Sequence, residues 1–446
     1  MSSKDPNVHK SPRLRVALLT PYTGENLGDA AIQDAVIANV RQRFEDAHIC
    51  LISYRPDVTA GIHRVPSFPI GITTFSSASL REYTYSACRG GAVKARGVFD
   101  EILPTIKRWI PFYAQLRGAA LSIVPASVGR IARDVLHTKR AYRLVAGFDA
   151  VIVSGGGQLD EYFGGPWRHP YSLFKWGLIA RLSGAGYLFL SVGACSIKSR
   201  LSRFFLRCAL RLATYRSYRD HKSKQLLKDM TFTHGDLVCP DLAFSDVGAE
   251  TADDEAKQRQ VIGISPISYL SRKWKETNLD AYDTYLDSLS NLVRYLVGQG
   301  LEVVIFSTDA VDLESLDDLE RAIRASLDST SATRVSRAST TTLQDLRRCL
   351  SRLDLVVASR LHGVILSHRA GLPVLAIAYD RKVTTYMSDT DMSEFCVGFL
   401  GIDGDTLRQT FRSLVQDAGS IRSKLKRINA RYSETLTLQY DRVLGV

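Results

Sequence analysis

Residues 355–379, LVVASRLHGVILSHRAGLPVLAIAY, carry the side chains best suited to chemistry. A buried strand is predicted to end at Ala358, and the next residues, SRLHG, place Arg360 and His362 where a helix begins. The start of a helix favours negative charge because its first amides have no partner within the helix. A lone histidine is more often a core or surface residue, but the arginine and the helix start favour an anion site. Lys382 follows the next predicted strand and would lie near the same site.

A second candidate is the loop TGENLGD, residues 23–29, which follows the first predicted strand. It lacks the G-x-G-x-x-G spacing of dinucleotide sites and the lysine of a P-loop. Asp29 has two compatible interpretations: it caps the next helix, or it is a carboxylate that takes a proton from a sugar hydroxyl. Asn26 and Gly28 of the same loop are candidate contacts for the acceptor.

A glycine run, Gly155–Gly157, follows the strand AVIVS and precedes a helical segment. Backbone N–H groups without a neighbouring Cβ can approach a bound anion closely, but a tight strand-to-helix turn explains the glycines equally well. Gly156, Gly157 and Gln158 are therefore candidate contacts for the acceptor.

Arg219 and Asp220 follow a further predicted strand at the edge of a basic run. One interpretation is an exposed ion pair of small energetic value, which the local sequence alone favours. The other is a guanidinium that holds a carboxylate or a phosphate, since its planar fork suits oxyanions.

The whole chain of 446 residues has a formal net charge of +12 and 45% hydrophobic residues, which excludes a disordered or fibrous protein and predicts two or three domains. Basic side chains concentrate in residues 107–143 and 198–228. Such runs suit nucleic acid, anionic lipid or a phosphorylated substrate. Because no nucleic-acid-binding module is recognisable, solvated helix faces around an anion site are the favoured interpretation and no nucleic-acid partner is expected.

Several features bear on location and on bound groups. No stretch of about 20 apolar residues is present, and the polar, basic start lacks the apolar core of a signal peptide. We expect a cytoplasmic protein, with possible peripheral contact with an anionic inner membrane face. The seven cysteines are odd in number and never in C-x-x-C spacing, so we expect no disulfide framework and no structural zinc site. No cluster of metal-ligating residues is visible in the sequence, so we expect no metal.

Apolar runs alternate with helical stretches, which predicts parallel βαβ units in two domains. We predict an N-terminal domain at 13–245 with an insertion at about 67–139, a linker at 246–260, a C-terminal domain at 261–400 and a helical tail at 401–446. The fold class is therefore α/β. Two doubly wound Rossmann-like domains that face a cleft, followed by a C-terminal helix, resemble the GT-B architecture.

With these elements placed, the sequence resembles the polysaccharide pyruvyl transferase family. The resemblance rests on five segments in order: ENLGDAAIQDAVI (25–37), SGGGQL (154–159), SYRDHKS (217–223), PDLAF (240–244) and SRLHGVILSHRAGLPVLAIAYDRKV (359–383).

The resemblance implies a GT-B-like enzyme that moves the enolpyruvyl unit of phosphoenolpyruvate onto a sugar of a polysaccharide or a lipid-linked glycan precursor. A cyclic pyruvyl ketal forms and phosphate is released, with phosphoenolpyruvate as a substrate and no cofactor. Carried over by motif, Arg360, Leu361 and Arg219 hold the donor. His362 protonates the donor, a step that needs an acid suited to neutral pH. Asp29 serves as the base, and Lys382 would help to offset the donor's charge.

Two rival functions fit the same scaffold. In a nucleotide-sugar glycosyltransferase, Arg360 and Lys382 would bind a diphosphate. In a non-catalytic glycan- or anion-binding protein, the fold would persist without turnover. The sequence leaves open the acceptor sugar, the ketal stereochemistry and the oligomeric state.

Overall fold

The computed structural model describes residues 13–72, 126–162, 164–228, 236–245, 260–272, 274 and 276–445. The chain divides into two compact units. The first comprises Met1–Thr23 and Val40–Val238, and the second comprises Gly24–Asn39 and Cys239–Val446. This division differs from the predicted domains, which grouped residues 24–39 and 239–245 with the first sheet.

The first unit contains a seven-stranded parallel sheet in the order β3-β2-β1-β4-β5-β6-β7. Its central strands are almost wholly apolar and buried, because helices cover both faces of a parallel sheet. The strands are β1 (Arg15–Leu19), β2 (His48–Ser53), β3 (Ser67–Pro69), β4 (Ala150–Ser154), β5 (Gly186–Val192), β6 (Tyr215–Tyr218) and β7 (Leu237–Val238).

Helices follow most of these strands. They are α1 (Leu27–Arg43), which is divided between the two units, α2 (Pro56–His63), α3 (Ala126–Val145), α4 (His169–Ser183), α5 (Arg200–Leu212) and α6 (His221–Lys228). Local sequence fixes their ends. For example, the Ser199 side chain accepts a hydrogen bond from the amide of Ser202 at the start of α5, and Gly184 adopts the left-handed conformation that ends α4.

The second unit contains a six-stranded sheet in the order β10-β9-β8-β11-β12-β13, with all its paired strands parallel. Its strands are β8 (Val261–Ser265), β9 (Glu302–Ile305), β10 (Val335–Arg337), β11 (Leu355–Ala358), β12 (Val374–Ala378) and β13 (Cys396–Gly398). Its helices are α7 (Leu279–Gly298), α8 (Leu313–Ser326), α9 (Ser329–Ala332), α10 (Leu343–Leu350), α11 (Leu361–Arg369), α12 (Arg381–Asp389) and α13 (Gly404–Leu444).

Helix α13 is the predicted C-terminal helix, and it packs on other parts of the second unit. The Asp403 side chain caps it by accepting hydrogen bonds from the amides of Asp405 and Thr406. Farther along, the Asn429 side chain donates to the carbonyl oxygen of His368 at the end of α11, at 3.0 Å. This contact fixes the far end of α11, the helix that begins with the RLH segment.

In each sheet the strand order reverses at one place, between β1 and β4 and between β8 and β11. Open α/β sheets bind ligands at the carboxyl ends of the strands that flank such a reversal. The glycine run follows β4, and SRLHG follows β11. The fold therefore places both motifs at the positions where a doubly wound sheet forms a binding site.

The predicted insertion at about 67–139 is only partly covered by the described residues, and the predicted linker at 246–260 is covered only at residue 260. Residues 67–69 and 126–139 belong to β3 and α3, whereas residues 73–125 of the predicted insertion and 246–259 of the predicted linker lie outside the described residues. Among the described helices, none is both long and apolar enough to cross a membrane.

Candidate functional site

Arg360 stands between the end of β11 and the start of α11, and a buried carboxylate holds its guanidinium. Its Nη2 donates to Oδ1 of Asp312 at 3.0 Å and its Nε donates to Oδ2 of Asp312, whose side chain is fully buried. Burial alone would lower the pKa of Arg360, but the bonded carboxylate of Asp312 raises it overall. The Nε–Nη2 edge of the guanidinium is thus bonded to Asp312, which fixes its orientation. The N–H groups of Nη1 remain for another group.

Asp309 is a second buried carboxylate at the same guanidinium. Its Oδ2 lies 3.5 Å from Nη1 of Arg360 and accepts a hydrogen bond from the Asn26 side chain at 2.7 Å. Burial raises the pKa of Asp309, and the charge of Arg360 lowers it by a smaller amount. The predicted acceptor contact Asn26 is therefore bonded to a carboxylate beside Arg360.

Asn26 also determines how α1 begins. Its Oδ1 accepts a hydrogen bond from the amide of Asp29 at 3.0 Å, so Asn26 caps the helix. The interpretation of Asp29 as the cap is wrong, because Asp29 lies inside the first turn. The Asp29 side chain is partly buried, and its role as a base stays a prediction.

The imidazole of His362 packs directly against the backbone of Gly28. A Cβ atom on Gly28 would lie 2.1 Å from Cγ and 2.2 Å from Nδ1 of His362. The loop is held there because the amide of Leu27 donates to the carbonyl oxygen of Thr308 at 2.9 Å. Only glycine fits at this position, which explains the glycine of the GD pair in the first loop.

The other ring nitrogen of His362 faces a buried acid. Nε2 lies 3.6 Å from Oδ2 of Asp241, whose side chain is 2% exposed. Oδ1 of Asp241 accepts a hydrogen bond from the amide of Ala243 at 3.0 Å, which anchors the carboxylate. The distance from Nε2 is an ion-pair distance and not a hydrogen bond. Nε2 has no hydrogen-bond partner among the described residues, and the role of His362 as the proton donor stays a prediction.

The start of α11 offers further donors. Among the described residues, the amides of Leu361, His362 and Gly363 have no hydrogen-bond partner, and the side chain of Arg360 does not cap the helix. Thr308 is buried, and its Oγ1, likewise without a partner there, would be 3.7 Å from a Cβ on Gly363. Three amides and a hydroxyl at a helix start match the needs of a phosphate or carboxylate.

Lys382 lies at the same edge of the second sheet, because it follows β12, the neighbour of β11. Its amide donates to Oδ1 of Asp380 at 2.9 Å, and its Nζ lies 3.9 Å from Oδ2 of Asp380 and 5.4 Å from the ring centre of Tyr379. The side chain is about one-third exposed, so its ammonium group remains hydrated and adaptable.

In the first unit, Arg219 lies over the glycine run. A Cβ on Gly193 would be 2.7 Å from Nη2 of Arg219, and the amide of Gly193 donates to the carbonyl oxygen of Gly156 at 2.8 Å. Nε of Arg219 is 3.7 Å from Oδ2 of Asp220, with the two side chains 12% and 17% exposed. The exposed-pair interpretation is therefore wrong, because this pair is mostly buried.

The glycine run makes a tight turn. Gly155 and Gly156 have φ values of 55° and 68°, a conformation that favours glycine. Gln158 is buried, and its Oε1 lies 2.9 Å from Nε2 of His169, the first residue of α4. Burial lowers the pKa of His169 to about 3, so the neutral ring donates to Gln158. The predicted acceptor contact Gln158 thus helps to fix the start of α4, while Gly157 lies in the turn beside it.

Comparison with protein families decides the assignment. Residues 26–381, most of the chain, match the family described as polysaccharide pyruvyl transferase. The chain belongs to this family. It is therefore a transferase enzyme, as the order of the five segments predicted. No curated protein matches the sequence significantly.

Solved structures show the fold of this pyruvyl transferase. A Listeria monocytogenes protein described as a UDP-N-acetylglucosamine 2-epimerase has a TM-score of 0.54 and 11% identity, over 97% of this chain and 95% of its own. A glycosyltransferase from Rickettsia africae (TM-score 0.52, 10% identity) and Anabaena Alr3699/HepE in complex with UDP (0.52, 11%) each match over 97% of this chain and 99% of theirs. The predicted GT-B-like fold is confirmed.

Three buried acids of the pyruvyl transferase were missed by the sequence analysis: Asp241, Asp309 and Asp312. Asp241 belongs to PDLAF, one of the segments that carried the resemblance, so the signal was present. The other two lie in STDAVD, directly after β9, at the sheet edge that also carries Arg360. Polar residues after β9, a strand of the same sheet as β11, are the pattern that could have identified them.

Replacing Asp241 with asparagine is expected to lower kcat of the pyruvyl transferase about tenfold to a hundredfold. The asparagine oxygen can still accept the hydrogen bond from Ala243, but the charge that stabilises the positive ring of His362 is lost. A tenfold change corresponds to about 1.4 kcal/mol of activation free energy. Steady-state kinetics would measure it, with Asp241→Glu as the charge-conserving control. An unchanged kcat in Asp241→Asn would show that Asp241 only supports the backbone turn.

Proposed function

We propose that this pyruvyl transferase takes phosphoenolpyruvate as its donor and forms a cyclic pyruvyl ketal on a sugar of a polysaccharide or glycan precursor, releasing phosphate. One observation carries the proposal. In a chain that belongs to the family, the start of α11 combines Arg360, His362 and three amides without partners among the described residues. These groups match a substrate with two anionic groups and an alkene carbon that must be protonated.

The donor would bind through the groups that the site leaves available. The phosphate suits the amides at the start of α11, with the buried hydroxyl of Thr308 beside them. The carboxylate suits the Nη1 edge of Arg360, whose other edge Asp312 already holds in place. Leu361 would take part through its amide, because its side chain is buried. The donor contacts of Arg219 and Lys382 stay predictions from the family motifs and from position.

The reaction balances with the groups named. His362 gives a proton to the methylene carbon of the donor while a sugar hydroxyl adds to the neighbouring carbon and loses its proton to Asp29. Phosphate leaves, and a second hydroxyl adds to the same carbon to close the ring. The methyl group takes its proton from His362 and phosphate takes that of the second hydroxyl. Asp29 then gives its proton to solvent and His362 regains one from solvent, so the net reaction moves the two hydroxyl protons to the methyl group and to phosphate. Atoms and charges balance with these groups alone, so the proposed reaction needs no cofactor or metal.

A nucleotide-sugar donor is the rival outcome, since one structure of similar fold, Anabaena Alr3699/HepE, contains UDP. The test incubates the protein with phosphoenolpyruvate and a panel of lipid-linked and free glycans, and measures phosphate release together with the methyl singlet of a ketal by NMR. We expect both signals together and none with UDP-sugars. Transfer from a UDP-sugar, with no phosphate released from phosphoenolpyruvate, would overturn the proposal.

We also propose that the protein works at an anionic inner membrane face. Helix α5 exposes Arg200, Arg203 and Arg211 on one face, together with Phe204, which is 54% exposed. Trp167 is 67% exposed and packs on the α5 residue Phe205 with ring centres 5.3 Å apart. Basic side chains interleaved with exposed aromatic rings suit the headgroup region of an anionic bilayer.

Reversing two charges on α5 tests this contact. In the variant Arg203→Glu/Arg211→Glu, binding to vesicles that contain phosphatidylglycerol is expected to fall at least about tenfold at low salt, since each basic residue near such a surface contributes about 1 kcal/mol. Co-sedimentation would measure the bound fraction. The control Lys426→Glu/Arg427→Glu makes the same charge change on exposed residues of α13. Equal loss in both variants, or equal binding to neutral vesicles, would contradict a specific surface.

A further inference from the structure

The guanidinium of Arg360 lies beside two buried carboxylates in the second unit. Arg360 makes two hydrogen bonds with Asp312 and lies 3.5 Å from Asp309, and neither acid is more than 9% exposed. The three side chains together carry a net charge of −1 when all are ionised. An anionic donor at Arg360 would therefore meet a site whose own charge opposes it.

The two acids are not equivalent. Asp312 accepts two N–H bonds from Arg360 and a third from the amide of Ser268 at 2.9 Å. Asp309 has the longer contact with Arg360, and its remaining donors are the Asn26 side chain and the amide of Val311, at 2.7 Å and 3.3 Å.

Among the described residues, Arg360 and Asp312 are the charged groups with the largest effect on Asp309: Arg360 favours the ionised carboxyl and Asp312 opposes it. The loop that bonds to this segment through Asn26 carries two further acids, Glu25 and Asp29. Burial opposes the ionised form most strongly, so the pKa of Asp309 is raised before any ligand binds. An anion at the Nη1 edge of Arg360 would add a second repulsion in a poorly solvated place.

We propose that Asp309 takes up a proton when the anionic donor binds beside Arg360 and gives it back when phosphate leaves. This inference rests on the proposed function, because the donor is taken to be phosphoenolpyruvate. The proton comes from solvent and returns to solvent, so the overall reaction is unchanged. Asp309 is a positioning residue in this scheme: its neutral form lets Arg360 turn its charge toward the donor.

Proton uptake is measured directly by calorimetric titration. Phosphoenolpyruvate is titrated into the wild-type protein at pH 8 in buffers of different ionisation enthalpy. This pH lies above the second phosphate pKa of about 6, so the ligand itself binds few protons. The variants are Asp309→Asn and His362→Gln, with Asp328→Asn as the control, since Asp328 is an exposed cap of α9 and has no contact with Arg360.

We expect uptake that approaches about one proton per bound donor in the wild type, in Asp328→Asn and in His362→Gln, and almost none in Asp309→Asn. The affinity of the wild type should then fall by up to about tenfold per pH unit, while that of Asp309→Asn should change little. Uptake that persists in Asp309→Asn, or that disappears in His362→Gln instead, would assign the proton elsewhere and overturn the proposal.

Failure of the proposed function has a different signature. If phosphoenolpyruvate does not bind, inorganic phosphate and UDP are titrated in the same way, because any anion at Arg360 needs the same compensation. Binding of either with Asp309-dependent uptake would support the inference although the donor was misassigned. If none of the three anions binds, or if Asp309→Asn does not fold and the wild type takes up no proton, the inference is overturned.

Discussion

Replacing Gly28 with alanine is expected to lower kcat about a hundredfold or more while the protein stays folded. The new Cβ would fall 2.1 Å from Cγ and 2.2 Å from Cβ of His362, so rotation of the ring does not relieve the clash and the backbone that carries His362 or Gly28 must shift. Displacement of a reacting group by about 1 Å can cost on the order of a hundredfold in rate. Alanine is the better helix former by about 1 kcal/mol, which offsets part of the cost to folding stability. Steady-state kinetics and thermal unfolding would separate the two effects.

A matched control and a double mutant sharpen this prediction. Gly419 lies in α13 with no atom within 4 Å of an added Cβ, so Gly419→Ala should keep full activity and gain up to about 1 kcal/mol of stability. In a His362→Gly background, Gly28→Ala should cause no further loss of activity, because the Cβ, Cγ and Nδ1 atoms that it would strike are gone. Additive losses in the double mutant would contradict the contact between Gly28 and His362 as the cause.

Replacing Arg360 with lysine is expected to lower kcat/KM for phosphoenolpyruvate about a thousandfold with a modest loss of stability. An ammonium group keeps the charge beside Asp312 and Asp309 but cannot hold a carboxylate with one edge while bonding Asp312 with the other. A thousandfold loss equals about 4 kcal/mol of transition-state stabilisation. Kinetics with varied donor concentration would measure it.

Alanine at the same position should behave differently. Arg360→Ala leaves two buried carboxylates without their cation, which should cost about 3–5 kcal/mol of folding free energy in chemical denaturation.

Arg324→Lys is the control for Arg360→Lys, since Arg324 is 74% exposed and pairs with Glu320 on the surface of α8. Near wild-type kcat/KM in Arg360→Lys would show that the fork of Arg360 does not hold the donor.

Much of the fold was predictable because its signals are local. Buried parallel strands are short apolar runs, so the runs AVIVS, VIGIS, LVVA and VLAIA of the sequence coincide with β4, β8, β11 and β12. The edge strands β3, β7, β10 and β13 were missed, since each has only two or three residues, too few to show a hydrophobic pattern. Edge strands bury less surface, so the hydrophobic pattern that identifies a central strand is weak there.

The candidate site was predictable only where a motif lay directly after a strand. Arg360 and His362 follow β11, and the fold places them where the sequence indicated. The contact between Gly28 and His362 joins distant parts of the chain, and no local pattern reports it. The burial of Arg219 was misjudged for the same reason, because Gly193 on another strand end covers it.

The assignment of residues 24–39 was also beyond local reasoning. The loop follows β1 in sequence, which favours placing it with the first sheet. Its backbone instead bonds with the segment after β9, where the amide of Leu27 donates to Thr308 and the amide of Ala310 donates to Glu25. Hydrogen bonds between separated loops depend on tertiary packing, which a single sequence does not specify.

The central claim is that the start of α11 binds phosphoenolpyruvate, and thermal stabilisation of the purified protein tests it most directly. A ligand at 100 times its dissociation constant should add about 2.7 kcal/mol to the stability of the folded state. We predict that phosphoenolpyruvate stabilises the wild-type protein, that UDP-N-acetylglucosamine does not, and that Arg360→Lys loses the effect. Stabilisation by the nucleotide sugar alone, or an undiminished effect of phosphoenolpyruvate on Arg360→Lys, would contradict the account.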